Sequence, residues 1–508
     1  MTRVAVATTS AIAADAAREV AALGGNAVDC ALATALMSMN TEPGVCALAG
    51  GAYVTVWVPG HDPVTFDGNH AVPGHGLPDD ERGQGKVPVH LDYGGGVSTI
   101  VGPGSVAVPG ALAAVEKAWQ RFGNLPWREL FQPTIDIVRA GFPLPSACRY
   151  YLGYSGDLIF DRSRDGYSAL HDDDGRLYER GRLIHVPHLA DSLTAIASGG
   201  ARVFYEGELA EAIAAHVRKG DGALTRDDLG AYEAIERPAL VADIDDWHIA
   251  TNPPPAVGGA VLTAMLLACG DLHASEWDRT LLDKLIRVQR ACLDFRRDQL
   301  DIAEDVDAAA AELIRAAKQG QFLSRWSSSS TVHTSAVDDS GIACAVTASS
   351  GYGSGEMPDG TGLWLNNGLG EIELNRRDVD SREPGERLPS NMAPTVARSS
   401  DATMAIGSPG ADRITTAIHQ VLVNTLQFGM PLADAIAHPR IHVDTTGDTD
   451  QLRTEPGLDM PALDLPLHSF PDINMYFGGV SVATYDRRTG FEVAADARRE
   501  GGVFLSDA

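Results

Sequence analysis

The residue best placed by type and context to do chemistry in this sequence is a threonine that follows four serines. Thr331 comes directly after Ser330, the last serine of the run, and begins the β-branched segment TVHTSAV. If the bond between Ser330 and Thr331 is cut, the freed α-amine can act as the base for the threonine hydroxyl. An α-amine has a pKa of about 7.7–8.0, so a neutral fraction is available near pH 7. The competing interpretation is a plain strand residue after a flexible serine linker.

A predicted hairpin brings further hydroxyl groups to this threonine. The segments TVHTSAV and IACAVTA are joined by Asp-Asp-Ser-Gly, which favours a three-residue loop at 339–341 with the glycine in the left-handed conformation. With that loop, Thr331 faces Ser349 across the ladder and Thr347 lies two residues away. Ser349 is then placed to hold the freed amine. We interpret His333, two residues beyond Thr331, as a structural hydrogen-bonding group rather than a catalytic one.

The surrounding pattern predicts helices and strands that would support this hairpin. A strand, AYVTVWV, follows Gly50-Gly51, and the segment 150–202, rich in Asp, Arg, Gly and Tyr, is predicted to be irregular surface. Helical periodicity is predicted over Ala11 to Leu23, Ala27 to about Met39, Leu112 to Arg139, and between Val261 and Gln319.

Composition excludes several classes of protein. The chain has 508 residues, 44% of them apolar and 21% charged, which is typical of a globular protein with a large core. That length is too great for one ordinary domain, although one large α/β domain with insertions is possible. The net charge of −28 disfavours nucleic acid and anionic membrane surfaces as partners.

The remaining signals concern compartment, metals and cofactors. Six scattered cysteines without CxxC spacing predict buried free thiols rather than disulfides or zinc ligands. The N-terminus has no signal pattern and no apolar run has membrane-spanning length, so we expect a cytoplasmic protein. We find no metal-ligand cluster and no phosphate-binding loop, and therefore expect no cofactor. The acidic positions Asp243, Asp245 and Asp246 are interpreted as an exposed turn, with a cation site as the alternative.

Eight short blocks, each weak alone, occur in a distinctive order. Together they resemble the gamma-glutamyltransferase family over nearly the whole chain, from about Val4 to the C-terminus. The blocks are GGNAVDCALA, NTEPGVCALAGGAYV, SVAVPGALAA, NPPPAVGG, GTGLWLNNGLGEIEL, PGERLPSNMAPT, IGSPGADRI and HPRIH.

The resemblance implies an α/β fold, the four-layer αββα sandwich of the N-terminal nucleophile hydrolases. It implies autocleavage into a large subunit, residues 1–330, and a small catalytic subunit, residues 331–508. These would form an αβ heterodimer within one fold, with a dimer of heterodimers as a further option. Thr331 would attack an acyl carbonyl, and the acyl-enzyme would be resolved by water or an amine. The backbone N–H groups of Gly410 and Ala411 would form the oxyanion hole.

The resemblance also indicates which residues lie beside a small-molecule substrate. The family uses the segment that contains Asn366 and Asn367, followed by an acidic residue, here Glu371, on the substrate's ammonium side. It binds the substrate carboxylate with paired serines, which are Ser390 and Asn391 in this chain.

Four positions of this pocket depart from the family pattern. The arginine that normally clamps the carboxylate is replaced by Asn69, which is followed by His70. One of the paired serines is Asn391, the acidic residue is Glu371 instead of aspartate, and Gly368 stands where the family has Gln or Glu. Loss of an arginine opposite a buried carboxylate typically costs several kcal/mol. We therefore expect a substrate other than glutathione.

Three functions remain open from the sequence. The first is an autoprocessed hydrolase or acyltransferase acting on an amide or related acyl bond of a small molecule. Secondary-metabolite biosynthesis, with hydrolysis of a carbon–carbon bond, belongs to this first option. The second is true gamma-glutamyl transfer with Asn69, His70 and Glu371 as a rearranged clamp. The third is an uncleaved pseudoenzyme that serves as a scaffold.

Overall fold

A computed structural model describes residues 2–92, 96–270, 277–319, 331–445 and 449–507. Within these residues we number twenty strands in chain order: β1 (Val4–Thr8), β2 (Gly51–Trp57), β3 (Val64–Gly68), β4 (Val87–Leu91), β5 (Val97–Val101), β6 (Phe142–Pro143), β7 (Leu183–Ile184), β8 (Ile235–Pro238), β9 (Leu240–Ile244), β10 (Trp247–Thr251), β11 (Val332–Asp338), β12 (Ala343–Ser349), β13 (Thr395–Arg398), β14 (Ala402–Gly407), β15 (Ile441–Asp444), β16 (Gln451–Thr454), β17 (Leu467–Ser469), β18 (Ser481–Asp486), β19 (Gly490–Ala495) and β20 (Gly502–Leu505).

Fifteen α-helices accompany the strands in the described ranges. They are α1 (Ala14–Ala22), α2 (Ala27–Thr41), α3 (Ala111–Phe122), α4 (Trp127–Ala140), α5 (Ser146–Ile159), α6 (Arg164–Leu170), α7 (Leu189–Gly199), α8 (Arg202–Glu206), α9 (Glu208–Lys219), α10 (Arg226–Ala231), α11 (Val257–Cys269), α12 (Arg279–Phe295), α13 (Val306–Gln319), α14 (Arg413–Leu422) and α15 (Leu432–Ala437).

Two antiparallel sheets form the centre of the molecule. The first has the strand order β20-β1-β11-β12-β2-β3-β8, and the second β19-β18-β14-β13-β10-β9. Helix α2 packs on the outer face of the first sheet, and α11 and α14 pack on the outer face of the second. The chain therefore adopts the four-layer αββα sandwich that the resemblance implied.

Side-chain size alternates along the central strands and determines how the layers pack. On β1, Val4 and Val6 face the helices, whereas Ala5 faces the second sheet. Ala345 and Ala405 belong to the same inter-sheet cluster as Ala5. Small side chains let the two sheets approach closely, while the larger β-branched residues fill the space beneath α2.

Both sheets combine strands from either side of residue 331. In the first sheet β11 and β12 lie between β1 and β2, and in the second β13 lies beside β10. The segments before and after Thr331 therefore share one hydrophobic core rather than forming separate domains. A cut at this point would leave two chains interleaved in both sheets.

The structure corrects one expectation about local structure. The segment 150–202 is largely helical, because α5, α6 and α7 lie wholly or mostly within it. Helix α5 buries Tyr151, Leu152 and Ile159 on one side, with the helical spacing that indicates a core-facing stripe. The many Asp and Arg residues occupy solvent-facing positions and obscured that stripe in the sequence.

Two other sequence expectations, for the cysteines and for one acidic turn, are confirmed. All six cysteines are buried free thiols. Asp243, Asp245 and Asp246 lie at an exposed turn, where Asp243 pairs with the ring of His248 at 2.6 Å. No helix in the described ranges is both long and apolar enough to cross a membrane. Within the same ranges, no three His, Cys, Asp or Glu side chains are grouped so that they could hold a metal ion.

Candidate active site

The hairpin of β11 and β12 has the register that the sequence predicts. Val332 pairs with Ala348 in an antiparallel ladder. Gly341 in the loop has a φ of +86°, the left-handed conformation expected there. Extending the ladder by one pair places Thr331 opposite Ser349, and both residues line one pocket.

Asp338 fixes this hairpin to the helix layer. One carboxylate oxygen accepts hydrogen bonds from the backbone N–H groups of Ser340 and Ile342, both at 3.0 Å. The other accepts a hydrogen bond from the N–H of Ala27, the first residue of α2, at 3.1 Å. Burial raises the pKa of this carboxyl group, and these hydrogen bonds work in the opposite direction. The position of β11 is thus tied to a buried helix N-terminus.

His333 lies two residues beyond Thr331, and both of its ring nitrogens have hydrogen-bond partners. Its Nδ1 is 2.8 Å from Thr347 Oγ1, and its Nε2 is 2.8 Å from Ser335 Oγ. A Cβ added at Gly407 would overlap the imidazole ring, so the ring packs directly on β14 of the second sheet. Burial lowers the pKa of His333 to about 3, which keeps the ring neutral. The geometry suits a structural group, and Thr347 is part of the same hydrogen-bonded set.

The pocket that contains Thr331, here called the Thr331 pocket, is a narrow cleft with a cavity volume of about 10 Å³. It brings together seven residues singled out from the sequence with three that were missed, Leu374, Pro389 and Met392. The missed residues are apolar neighbours of the predicted ones, and that adjacency was the available signal. The lining residues are Asn69, His70, Thr331, Ser349, Glu371, Leu374, Pro389, Ser390, Asn391 and Met392. Ser330 lies outside the described residues.

Asn366 supports the wall of this pocket through its side chain. Its amide nitrogen donates to the carbonyl groups of Ala49 and Ala107 at 2.9 and 3.0 Å. Its amide oxygen accepts from the N–H groups of Ala107 and Gly368 at 3.1 and 2.9 Å. All four hydrogen-bonding positions of this buried amide are therefore occupied by backbone groups.

Asn367 has a similar environment. Its amide oxygen accepts from the N–H of Tyr352 at 2.7 Å, and its nitrogen donates to Thr99 Oγ1 and to the Ile100 carbonyl, both at 3.0 Å. Neither asparagine lines the Thr331 pocket. A direct contact of this pair with substrate stays a prediction. The hydrogen bonds of both side chains connect the surrounding loops.

Two carboxyl groups lie next to each other on the loop after this pair. Glu371 lines the Thr331 pocket, and Glu373 accepts a hydrogen bond from the Tyr352 hydroxyl at 2.7 Å. Burial, followed by the charge of Glu371, raises the pKa of Glu373 to about 8. Glu373 is therefore mostly protonated at neutral pH, next to the pocket residue Glu371. Sequence reasoning missed Tyr352 and Glu373 because neither residue belongs to a motif.

Asn69 and His70 enter the pocket from the end of β3. The Asn69 amide nitrogen donates to the Leu388 carbonyl at 2.7 Å. His70 is buried, which lowers its pKa to about 4 and keeps it neutral. Its Nε2 has no hydrogen-bond partner in the described structure.

The arginines nearest to this segment are directed elsewhere. Arg237 Nε is 2.8 Å from one oxygen of Asp67, and Arg387 Nε is 3.5 Å from the other. Arg387 also lies over the ring of Tyr232, with its guanidinium carbon 4.3 Å from the ring centroid. Neither arginine lines the Thr331 pocket.

Ser390 and Asn391 occupy the loop before β13. The Ser390 carbonyl accepts hydrogen bonds from the N–H groups of Val257 and Gly258 at 2.9 and 3.1 Å, at the start of α11. Both polar atoms of the Asn391 side chain are buried without a partner in the described structure. A buried amide without partners is costly unless a ligand completes its hydrogen bonds.

A strained turn follows β14 at the same end of the sheets. Gly410 and Ala411 have φ values of +118° and +69°. The strand that leads into this turn ends at Gly407, which packs on His333. Among the described residues, we find no acceptor within the chain for the N–H of Gly410 or of Ala411. Two such donors are what an oxyanion hole requires.

The whole sequence is similar to that of a known protein family. The sequence model of the family described as gamma-glutamyltranspeptidase matches residues 13–506. The chain belongs to the gamma-glutamyltranspeptidase family. The resemblance drawn from the sequence blocks is thereby confirmed, and the chain is an enzyme of a family of hydrolases and acyltransferases.

Relatives within this family include both glutathione hydrolases and acylases. The chain is 26% identical over 485 residues to the glutathione hydrolase proenzyme of Escherichia coli, covering 87% of this chain and 81% of that protein. It is 27% identical over 464 residues to the acylase ACY 1 proenzyme of Pseudomonas sp. strain V22, covering 86% and 82%. Both relatives are named as proenzymes.

Solved structures agree on the fold. The cephalosporin acylase from Bacillus halodurans superimposes with a TM-score of 0.81 at 23% identity, covering 100% of this chain and 96% of that one. The gamma-glutamyltranspeptidase of Helicobacter pylori has a TM-score of 0.51 at 22% identity, covering 60% of this chain and 89% of that one. At these levels of sequence identity the structures show a shared fold, and they do not identify the substrate of this chain.

The left-handed alanine of the turn gives a first prediction. Replacing Ala411 by glycine should raise the free energy of unfolding by about 0.5–1 kcal/mol, because relief of the strained φ exceeds the entropy that glycine adds to the unfolded chain. Activity should persist, since the donor is a backbone N–H. Urea denaturation measures the change. Ala411→Val is the matched opposite variant and should lower the free energy of unfolding. Equal stabilities of the two variants would show that the backbone of residue 411 is not strained.

Buried histidines predict the response of stability to acid. Burial lowers the pKa values of His70, His333 and His419 from 6.5 to about 4, 3 and 4. Below pH 6.5 these three rings bind more protons in the unfolded chain, so their contribution to the free energy of unfolding should fall as the pH drops towards 4. The raised pKa values of Glu42 and Glu373, about 7 and 8, act in the opposite direction. Urea denaturation between about pH 7.5 and about pH 5 tests this.

A matched pair of variants isolates the contribution of one imidazole. His333→Gln should lower the slope of the free energy of unfolding against pH below 6.5, because it removes a group that is protonated only in the unfolded chain. Thr334→Ala, which removes no titratable group from the same strand, should leave that slope unchanged. An unaltered slope in the His333 variant would show that this ring titrates normally in the folded protein.

Proposed function

We propose that the chain is an autoprocessing N-terminal-threonine hydrolase that cleaves an acyl bond of a small molecule other than glutathione. Residues 1–330 would form the large subunit and residues 331–508 the small one. The observation that carries the proposal is the position of Thr331, at the start of a central strand, opposite Ser349 and inside a pocket. The proenzyme names of the relatives support the cut.

The chemistry proposed for this geometry needs only groups of the chain itself. The freed α-amine of Thr331 takes the proton of the hydroxyl group, and Oγ attacks the acyl carbonyl. The N–H groups of Gly410 and Ala411 stabilise the negative charge of the tetrahedral intermediate. The leaving group departs with the proton from the amine, and water then resolves the acyl-enzyme by the same route. Ser349 orients the amine across the ladder.

The interleaved sheets support a stable heterodimer after cleavage. Strands β1 and β2 from the first segment flank β11 and β12 from the second. Separation of the two chains would expose the cores between the layers, so we propose that the subunits remain associated as one αββα unit.

The charges of the Thr331 pocket support a substrate unlike a gamma-glutamyl group. Its lining residues include the acidic Glu371 and no lysine or arginine, and His70 is neutral. A gamma-glutamyl group would bring its α-carboxylate into this pocket without a cation, which is unfavourable. An ammonium group would be matched by Glu371. We therefore propose an acyl group that carries an amine or a neutral polar end and no carboxylate.

A matched set of anilides tests this proposal. The 4-aminobutanoyl anilide differs from the gamma-glutamyl anilide only by the α-carboxylate, and the glutaryl anilide lacks the ammonium instead. We expect kcat/KM to be at least about tenfold higher for the 4-aminobutanoyl compound than for the other two. The butanoyl anilide, which has neither charge, serves as the reference.

Other outcomes would identify the competing functions. A preference for the gamma-glutamyl anilide, with acceleration by glycylglycine, would establish gamma-glutamyl transfer with Asn69, His70 and Glu371 as a rearranged clamp. The partnerless Nε2 of His70 is the observation that favours this second function. A chain that remains uncut and inactive on all four anilides would be a scaffold.

The proposal extends to biological setting. We place the enzyme in the cytoplasm, which its six buried free thiols support. Secondary-metabolite biosynthesis, including hydrolysis of a carbon–carbon bond next to a carbonyl, uses the same nucleophile and oxyanion donors. Such substrates belong in the screen that follows the anilide series.

A further inference from the structure

A second cavity, here called the Arg499 cavity, lies outside the Thr331 pocket. Its volume is about 330 Å³, within the range of sites for small ligands. Two buried charged residues, Glu42 and Arg499, share it with the exposed Arg180 and Glu500 and with a mostly apolar wall. The lining residues are Thr9, Ser10, Ala11, Ile12, Glu42, Pro143, Leu144, Pro145, Ser146, Ala147, Arg180, Gly181, Arg499 and Glu500. None of them takes part in the chemistry proposed for Thr331.

The side chains of Glu42 and Arg499 are buried, and each has polar atoms without a hydrogen-bond partner. Glu42 and Arg499 are 4% and 5% exposed. Glu42 Oε1 and the Nε and Nη2 atoms of Arg499 have no hydrogen-bond partner in the described structure. The two side chains also form no ion pair with each other within 4.0 Å. Buried charges in proteins are normally paired, so an unsatisfied acid and an unsatisfied base in one cavity require an explanation.

The backbone holds these two groups apart. Glu42 ends α2: its N–H donates to the Ser38 carbonyl at 3.1 Å, and its carbonyl accepts from Val45. The stem of Arg499 packs on Gly479, where an added Cβ would overlap it. Burial raises the pKa of Glu42 to about 7, and a hydrogen bond with Ser38, the charge of Arg499 and a hydrogen bond with Ser10 oppose that rise. The cavity therefore presents a cation and a titratable carboxyl group at separate, fixed points.

We propose that the Arg499 cavity binds a small zwitterion of the amino-acid type, with its carboxylate on Arg499 and its ammonium on Glu42. The guanidinium fork suits a carboxylate, and the acidic oxygen suits an ammonium group. Pro143, Leu144 and Ala147 provide an apolar surface for the ligand's side chain. A zwitterion satisfies both charges at once, which neither a simple anion nor a simple cation does.

The cavity lies close to the nucleophile without sharing its residues. The N–H of Thr9 donates to the His333 carbonyl at 3.1 Å, which continues the ladder beyond β1. Ser10 and Ala11 therefore run beside the start of the strand that follows Thr331. The inference rests on the charges of the cavity and does not depend on the reaction proposed for Thr331.

Binding of amino acids to the wild-type protein tests the proposal. The standard L-amino acids are screened by thermal shift, and the best binder is titrated by calorimetry together with its N-acetyl derivative and its amide. We expect saturable binding of the amino acid and at least about tenfold weaker binding of both derivatives, because each has lost one charge. The proposal is overturned if no amino acid binds, or if either derivative binds as well as the parent.

Variants locate the site and keep it distinct from the Thr331 pocket. Arg499→Gln and Glu42→Gln should each weaken binding by at least about tenfold. Asn391→Ala in the Thr331 pocket and the exposed Arg176→Gln should leave the affinity unchanged. The reverse pattern would place the ligand in the Thr331 pocket and overturn the proposal. If a variant of a buried residue does not fold, the comparison of the amino acid with its derivatives decides.

Discussion

Replacing Thr331 by alanine should leave the protein as one uncut chain of 53.7 kDa and abolish acyl hydrolysis. The wild-type protein should instead give fragments of about 35 and 19 kDa, obtained by scaling the mass by residue number, and the smaller should begin at Thr331. Loss of the nucleophile removes both the group that cuts the chain and the group that forms the acyl-enzyme. In a serine protease the same loss costs on the order of 10⁶ in kcat.

Intact mass and kinetics on matched variants measure this effect. Thr331→Ser retains a hydroxyl group and an α-amine, so it should still cut itself and keep part of the activity. Thr334→Ala is the control on the same strand, because its hydroxyl contacts Thr8 on the helix-facing side. It should be processed normally. Activity that survived in the alanine variant at position 331 would rule out the threonine mechanism.

Replacing Asn366 by alanine should lower the free energy of unfolding by about 3–5 kcal/mol. The substitution removes four hydrogen bonds and leaves the backbone groups of Ala49, Ala107 and Gly368 buried without partners. Each such orphaned group costs about 1–3 kcal/mol, partly offset by relaxation and water. Urea denaturation at neutral pH measures the change.

Asn375 provides the matched control for that prediction. Its side chain donates one hydrogen bond, to the Gly368 carbonyl at 2.7 Å. Asn375→Ala should therefore cost only about 1 kcal/mol. Equal losses in the free energy of unfolding would show that the four hydrogen bonds of Asn366 do not stabilise the loop more than the single one of Asn375 does. Normal stability with impaired turnover in the Asn366 variant would instead favour the substrate contact predicted from the sequence.

The sequence alone determined the local geometry at the nucleophile. Two β-branched segments and a loop that ends in Gly341 specify one hairpin register, and the structure has that register. The type of a turn and the alternation of side chains on a strand depend on residues that are close in sequence, so both can be predicted without knowledge of the tertiary structure. The ordered family blocks added the four-layer architecture, which local patterns cannot supply.

Sequence patterns failed to predict helices in one segment, where polar residues outnumber the apolar residues that face the core. The segment 150–202 contains most of α5 and all of α6 and α7, and each helix buries one stripe of residues while polar side chains cover the rest. Their stability comes from packing against the rest of the core rather than from the composition of the segment. Tertiary contacts also decide the partners of Asn366, so the sequence could not show that backbone groups occupy all four of its hydrogen-bonding positions.

Only the tertiary structure decided which distant residues meet. Asn69, Thr331 and Ser390 come from three separate regions of the sequence, yet they line one pocket. Their convergence depends on how two sheets and their helices pack, which is a property of long-range contacts rather than of spacing. The same packing brought Glu42 and Arg499, near opposite ends of the chain, into one cavity. The sequence predicted Thr331 as the nucleophile and determined the strand that follows it, and the packing of the layers determined which residues surround it.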